Sequence, residues 1–156
     1  MSRHRMKQTM DIKEILSPHS VAIDVPCSDK AGLLRALVER ATANLDLAAE
    51  AAATEIERRE ELGSTGIGGG IAVPHARFRE IKQAHGFLVR LKHPLEFDAV
   101  DGKGVDIIFL LLLPASPQLD ALNALAGVAR KLRDPETSRR MRAAPSAFEL
   151  YRAAVD

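Results

Sequence analysis

Ile107-Ile108-Phe109-Leu110-Leu111-Leu112-Leu113 is the longest apolar run in the chain, and it does not alternate with polar residues. A strand with one wet face alternates, so this run reads as a central strand covered on both sides. It is also far short of the roughly 20 residues that a membrane-spanning helix needs. Asp101-Gly102 marks a turn ahead of it. Further toward the N-terminus, 87–91 and 71–73 read as strands, the latter ending at Pro74 and His75. So does 21–25, where Val21, Ile23 and Val25 alternate up to Pro26. Ser28 is placed to cap a helix with the apolar face Leu34, Leu37, Val38 and Ala41. Asn44 breaks it, and Asp46 is placed to cap a second helix that reaches about Leu62. Beyond the apolar run, Ser116-Pro117 opens a helix whose expected buried stripe is Leu122, Leu125, Ala126 and Ala129. Asp134-Pro135 opens a shorter helix, and Ser146 with Glu149 opens another as a capping box. Strands interleaved with helices around a doubly covered strand predict an α/β protein, a single-domain three-layer α/β/α sandwich.

Composition agrees with one soluble domain. The chain has 156 residues, and at about 150 residues a domain buries roughly 70% of its unfolded surface, so no disulfide or metal staple is required. Twenty-two Lys+Arg against twenty-one Asp+Glu leave a net charge of +1, which argues against a nucleic-acid binder and against an acidic tail. The content, 46% hydrophobic and 28% charged, is that of a folded chain. Cys27 is the only cysteine and cannot form an internal disulfide. Residues 1–7 are basic with no apolar stretch behind them, unlike a signal peptide. The expectation is a short disordered leader over 1–9, a domain over 10–156, a cytoplasmic location and no membrane insertion.

The chemistry concentrates in 59–75: Arg-Glu-Glu-Leu-Gly-Ser-Thr-Gly-Ile-Gly-Gly-Gly-Ile-Ala-Val-Pro-His. Its glycines exclude helix interior, so 63–70 reads as a loop. Successive N–H groups in such a turn can converge on an anion. Ser64, Thr65 and Gly66 are the expected phosphate-binding residues, and Arg59 supplies a planar cation suited to phosphate oxygens. Pro74 fixes its own φ and restricts Val73, so His75 is delivered at few angles. A neutral imidazole is a nucleophile, and at its reference pKa of about 6.5 most of it is neutral at pH 7. These parts can accept a phosphoryl group on His75. The motif lacks the Gly-Lys-Ser/Thr ending of a P-loop. Ile71 stands where a dinucleotide fingerprint needs its third glycine, and no Gly-x-Ser-x-Gly elbow occurs. The residues alone leave a second reading open, in which the glycines only make a tight connection and His75 is an ordinary polar residue.

Leu62-Gly63-Ser64-Thr65-Gly66-Ile67-Gly68 followed by Gly70-Ile71-Ala72-Val73-Pro74-His75 resembles the active-site signature of the mannitol/fructose-type enzyme IIA domains of the bacterial phosphotransferase system. It looks most like the nitrogen-related branch. Leu16-Ser17-Pro18 with Val21, then Phe97-Asp98-Ala99 with Asp101-Gly102 and Val105-Asp106, and finally 132–150, extend the likeness over nearly the whole chain from Met10. The resemblance implies a mixed central sheet, His75 as the phosphorylated residue and Arg59 as the arginine beside it. It implies a histidine phosphocarrier as donor, HPr or its nitrogen-branch relative NPr, fed ultimately by phosphoenolpyruvate. Relatives often carry a second histidine early in the helix after the central strand, and Leu125-Ala126 aligns Ala121 with that position.

The leading expectation is therefore a phosphocarrier of the nitrogen-related branch that acts mainly as a regulator, with regulatory proteins or transporters as further partners. It needs no metal and no cofactor. The alternatives are a sugar-type enzyme IIA feeding a permease and a non-catalytic binding module, the latter suggested by Ala121. His85 and His93 flank a strand without zinc-site spacing and read as solvated or locally bonded. Cys27 reads as a bystander thiol. The arginines around 130–142 read as a solvated helix face, with no nucleic-acid partner.

Overall fold

The computed structural model describes residues 11–116 and 120–156. The expected leader over 1–9 and Pro117 of the expected helix start lie outside them. The elements run α1 (Ile12–Ile15), a 3₁₀ turn (Pro18–Ser20), β1 (Val21–Val25), α2 (Lys30–Thr42), α3 (Ala49–Glu61), β2 (Gly66–Gly68), β3 (Ile71–Ala72), β4 (His75–Phe78), β5 (His85–Leu95), β6 (Val105–Pro114), α4 (Ala121–Arg133), α5 (Pro135–Ala143) and α6 (Ala147–Val155).

The apolar run is the middle of the molecule. In the six-stranded sheet β6 is paired antiparallel to β5 on one side and parallel to β3 and β4 on the other. β1 lies parallel to β5 at one edge, and β2 lies antiparallel to β3 at the other. The sheet is thus mixed, as expected. Ile107, Phe109, Leu111 and Leu113 enter one core with residues of α1, α4, α5 and α6. Ile108, Leu110 and Leu112 enter a second core with α2 and α3. The uniform hydrophobicity of 107–113 is two alternating faces superposed, each covered by helices. This is the three-layer α/β/α sandwich.

β3 and β4 behave as one strand interrupted at Val73-Pro74. Proline has no N–H for the ladder, and the Val73 N–H turns aside to the Thr65 carbonyl at 3.0 Å. Pairing with β6 resumes at once, since the Pro74 carbonyl accepts from Leu111 N at 2.9 Å and His75 pairs with Leu111. His75 therefore opens a strand, where the sequence reading had it close one.

Several local expectations need correction. Asp29, not Ser28, caps α2, accepting from Gly32 N at 2.7 Å. No side chain caps α3, whose N-cap is Ala48 rather than Asp46. Asp120, not Ser116, caps α4, accepting from Asn123 N. The buried stripe of α4 is Ala124, Gly127, Val128 and Leu132, while Leu122 is 76% exposed. That helix is apolar on more than one side, and Ala124 and Gly127 lie on the buried one. Asp134 and Ser146 do cap α5 and α6, accepting from Thr137 N and Glu149 N. The glycine-rich segment is not wholly loop, since Gly66–Gly68 forms β2.

Candidate active site

His75 is half-buried at the start of β4. Its Nδ1 lies 2.9 Å from the Val73 carbonyl. A carbonyl can only accept, so Nδ1 carries the hydrogen and Nε2 keeps a free lone pair. Burial pushes the His75 pKa below the usual histidine value. The Val73 hydrogen bond opposes that push, the nearby Arg59 charge adds to it, and Glu60 opposes it. The net direction is down, so the ring is neutral at pH 7 and nucleophilic.

Arg59 stands in the last turn of α3, with Nη1 donating to the Gly63 carbonyl at 2.9 Å. Its charge reaches His75 electrostatically. The glycine-rich segment after it is more tightly occupied than the sequence suggests. Ser64 Oγ donates to the Phe97 carbonyl at 2.6 Å and accepts from Gly66 N at 3.0 Å. Thr65 is buried, with its amide on Glu60 Oε2 at 2.8 Å and its hydroxyl on Glu60 Oε1 at 2.7 Å. The Gly69 amide goes to Asp101 Oδ2 at 3.0 Å. The amides of Thr65, Gly66 and Gly69 do not converge on one anion, because each already has its own acceptor. Ser64, Thr65 and Gly66 shape the loop in this state.

The turn chemistry explains why the loop can fold so tightly. A Cβ on Gly66 would stand 2.7 Å from the Ala99 Cβ, and the Gly66 carbonyl accepts from Val100 N at 3.2 Å. Gly69 and Gly70 carry φ of 69° and 79°, which an L side chain rarely adopts.

Two charged neighbours escape a sequence reading. Glu60 is adjacent to Arg59 in the chain, yet nothing local says that its carboxylate turns inward. Lys30, which pairs with Glu60 at 2.9 Å, opens α2 and so lies at the other end of the α2–α3 segment in the chain. Ala121 opens α4 and packs partly buried against the same core as Leu111, the register partner of His75. His85 is opposite Leu112 and so belongs to the other sheet face from His75. Its own burial lowers its pKa. His93 is exposed, and burial followed by the Asp29 charge raises the Cys27 pKa, which disfavours its thiolate. Among the described residues no three His, Cys, Asp or Glu side chains gather as a metal site, and no helix is long and apolar enough to cross a membrane.

A family model described as "Phosphoenolpyruvate-dependent sugar phosphotransferase system, EIIA 2" matches residues 14–154. The chain belongs to this EIIA family. A nitrogen regulatory protein of Escherichia coli (strain K12) is 38% identical over 149 residues, 95% of this chain and 91% of that protein. The crystal structure of nitrogen regulatory protein IIA-Ntr from Neisseria meningitidis matches with a TM-score of 0.85 at 32% identity, covering 92% of this chain and 98% of that one. Mannitol enzyme IIA from Escherichia coli, at 14% identity and a TM-score of 0.73, covers 88% of this chain and 97% of its own and shares the fold. This EIIA chain is a phosphotransferase-system component that carries phosphoryl groups, and its partners are other components of that system.

Proposed function

We propose that the chain is a cytoplasmic phosphocarrier of the nitrogen-related phosphotransferase branch, acting mainly in regulation, with Nε2 of His75 as its phosphoryl acceptor. The observation that carries the residue assignment is the Nδ1 hydrogen bond to Val73, which leaves Nε2 as the nucleophile. The regulatory role rests on the relatives of about the same length called nitrogen regulatory proteins. The donor is the phosphohistidine of a small carrier, HPr or NPr. The Nε2 lone pair forms a bond to phosphorus in line with the P–N bond of the donor, whose electron pair returns to the donor ring. The transition state is loose, with charge on the phosphoryl oxygens. The donor ring keeps its proton and leaves neutral, and His75 keeps its Nδ1 proton on Val73, so no proton need cross between them. Arg59 is the cation whose charge acts on His75, and its guanidinium exchanges Gly63 for the incoming oxygens. Ser64, Thr65 and Gly66 complete the phosphate site by holding the loop around it.

Incubation with phosphoenolpyruvate, the first enzyme of the system and the carrier is expected to label the wild-type protein and leave His75→Ala unlabelled. Equal labelling of the variant overturns the assignment.

A further inference from the structure

A continuous line of polar contacts runs from α2 to the imidazole. Lys30 Nζ lies 2.9 Å from Glu60 Oε2, 3.1 Å from the Phe97 carbonyl and 4.3 Å from the Phe97 ring centroid. The Glu60 side chain is only 6% exposed, and its two oxygens take the amide and the hydroxyl of Thr65. The Thr65 carbonyl takes Val73 N at 3.0 Å, and the Val73 carbonyl takes His75 Nδ1 at 2.9 Å. Lys30 and Glu60 lie far apart in sequence, the Glu60–Thr65 and Thr65–Val73 links are short-range, and the last link spans the proline interruption.

A buried carboxylate is costly unless both its charge and its lone pairs are met. Glu60 has a cation and two donors, yet a hydrophobic residue would join α2 to α3 at least as well. What an apolar residue could not do is hold Thr65 by two bonds. We infer that Glu60, neutralised by Lys30, is a positioning residue for His75. The inference rests on His75 being the phosphoryl acceptor. The carboxylate fixes Thr65, Thr65 fixes Val73, and Val73 selects the tautomer and ring angle that expose Nε2. A displacement of about 1 Å in such a chain can cost ~100-fold in rate. Lys30 has a second task. A lone carboxylate beside the imidazole favours the imidazolium and repels a phosphoryl group. With Lys30 on Glu60, the guanidinium of Arg59 dominates the field at Nε2.

Among the described residues the charged groups around His75 are few. Arg59 and Glu60 face it from α3, and both act on it electrostatically. On β6 the one charged residue is Asp106, five positions before the register partner Leu111. On β4 it is the exposed Arg77.

The test is the pH titration of the His75 ring by NMR, together with single-turnover phosphorylation, in Lys30→Met, Lys30→Arg, Glu60→Gln and the Lys30→Met/Glu60→Gln pair. In Lys30→Met the His75 midpoint moves up and the rate at pH 7 falls about tenfold or more, while Lys30→Arg restores both. Glu60→Gln moves the midpoint down. The double variant brings the midpoint back toward wild type but leaves the rate low, because Thr65 has lost its carboxylate. A merely structural ion pair predicts lower melting temperatures and a rate that follows the His75 midpoint alone, so a double variant with the wild-type midpoint and the wild-type rate overturns the inference. Should Lys30→Met not fold, Glu60→Gln and Thr65→Val, which removes only the hydroxyl donor, carry the same readout. The ring titration needs no phosphoryl donor. An unmoved midpoint therefore overturns the positioning role alone, whereas a labelled His75→Ala overturns the acceptor reading.

Discussion

The charge of Arg59 reaches the imidazole of His75 only because the last turn of α3 and the start of β4 lie near one another. Among the described residues Arg59 donates to one carbonyl, Gly63, and can be redirected at the cost of that hydrogen bond. Its replacement by alanine should lower the rate of phosphorylation by about 10²–10³, the loss typical of one preorganised charge-stabilising donor. Arg59→Lys should recover only part, since an ammonium lacks the planar fork. Rapid-quench labelling measures both. Ala121 offers the converse experiment. It packs against the core on the face of the sheet that His75 shares with Leu111, and the family resemblance aligns it with a second histidine. Ala121→His should raise the labelling rate, by up to about 10²-fold if the new ring reaches the phosphoryl oxygens; an unchanged rate shows that the loop and Arg59 suffice.

The elements carry the site by their interruptions more than by their regular parts. β3 and β4 would be one strand but for Val73-Pro74, and the diverted Val73 amide is what fastens the glycine-rich segment to the site. Gly66 is where that segment passes closest to 97–100. Gly66→Ala would push a methyl to 2.7 Å from the Ala99 Cβ and 2.9 Å from its Cα, so backbone must move. The expected destabilisation is about 1–3 kcal/mol by urea denaturation, with slowed labelling, because Gly66 N also holds the Ser64 hydroxyl. Pro74, the glycines and the Asp134-Pro135 helix start were legible in the sequence, because each acts through its own φ or its missing N–H. The α4 stripe was not, because Leu122, Leu125 and their neighbours allow two apolar faces and only the sheet chooses. The inward turn of Glu60 was not legible either, since a glutamate in the last turn of a helix is ordinarily solvated.

The whole molecule is two cores divided by one sheet, with titratable histidines set into opposite faces of it. His75 and His85 both have pKa values lowered by burial. In the unfolded chain they return to about 6.5, so below that pH the unfolded state binds more protons than the folded one. The stability they permit is therefore fully present above about pH 6.5 and is lost as pH falls toward their lowered folded values. Urea titrations between pH 7 and 5 should show stability falling with acidity, and His85→Gln should flatten part of the slope without touching the acceptor. An equal slope in wild type and His85→Gln assigns the effect elsewhere.

By itself the sequence determined what short-range chemistry can state. It marked a central strand covered on both faces, a rigid proline that delivers His75, and an arginine one glycine-rich segment away. Those signals act over a few bonds, through side-chain volume, φ restriction and the alternation of strand faces. The tertiary structure alone decided that Gly66–Gly68 becomes a strand, that the loop amides are spent on separate acceptors, and that Lys30 meets Glu60 behind the histidine. These depend on which helix lies on which face of the sheet, and that choice is made by packing two cores at once rather than by any one segment.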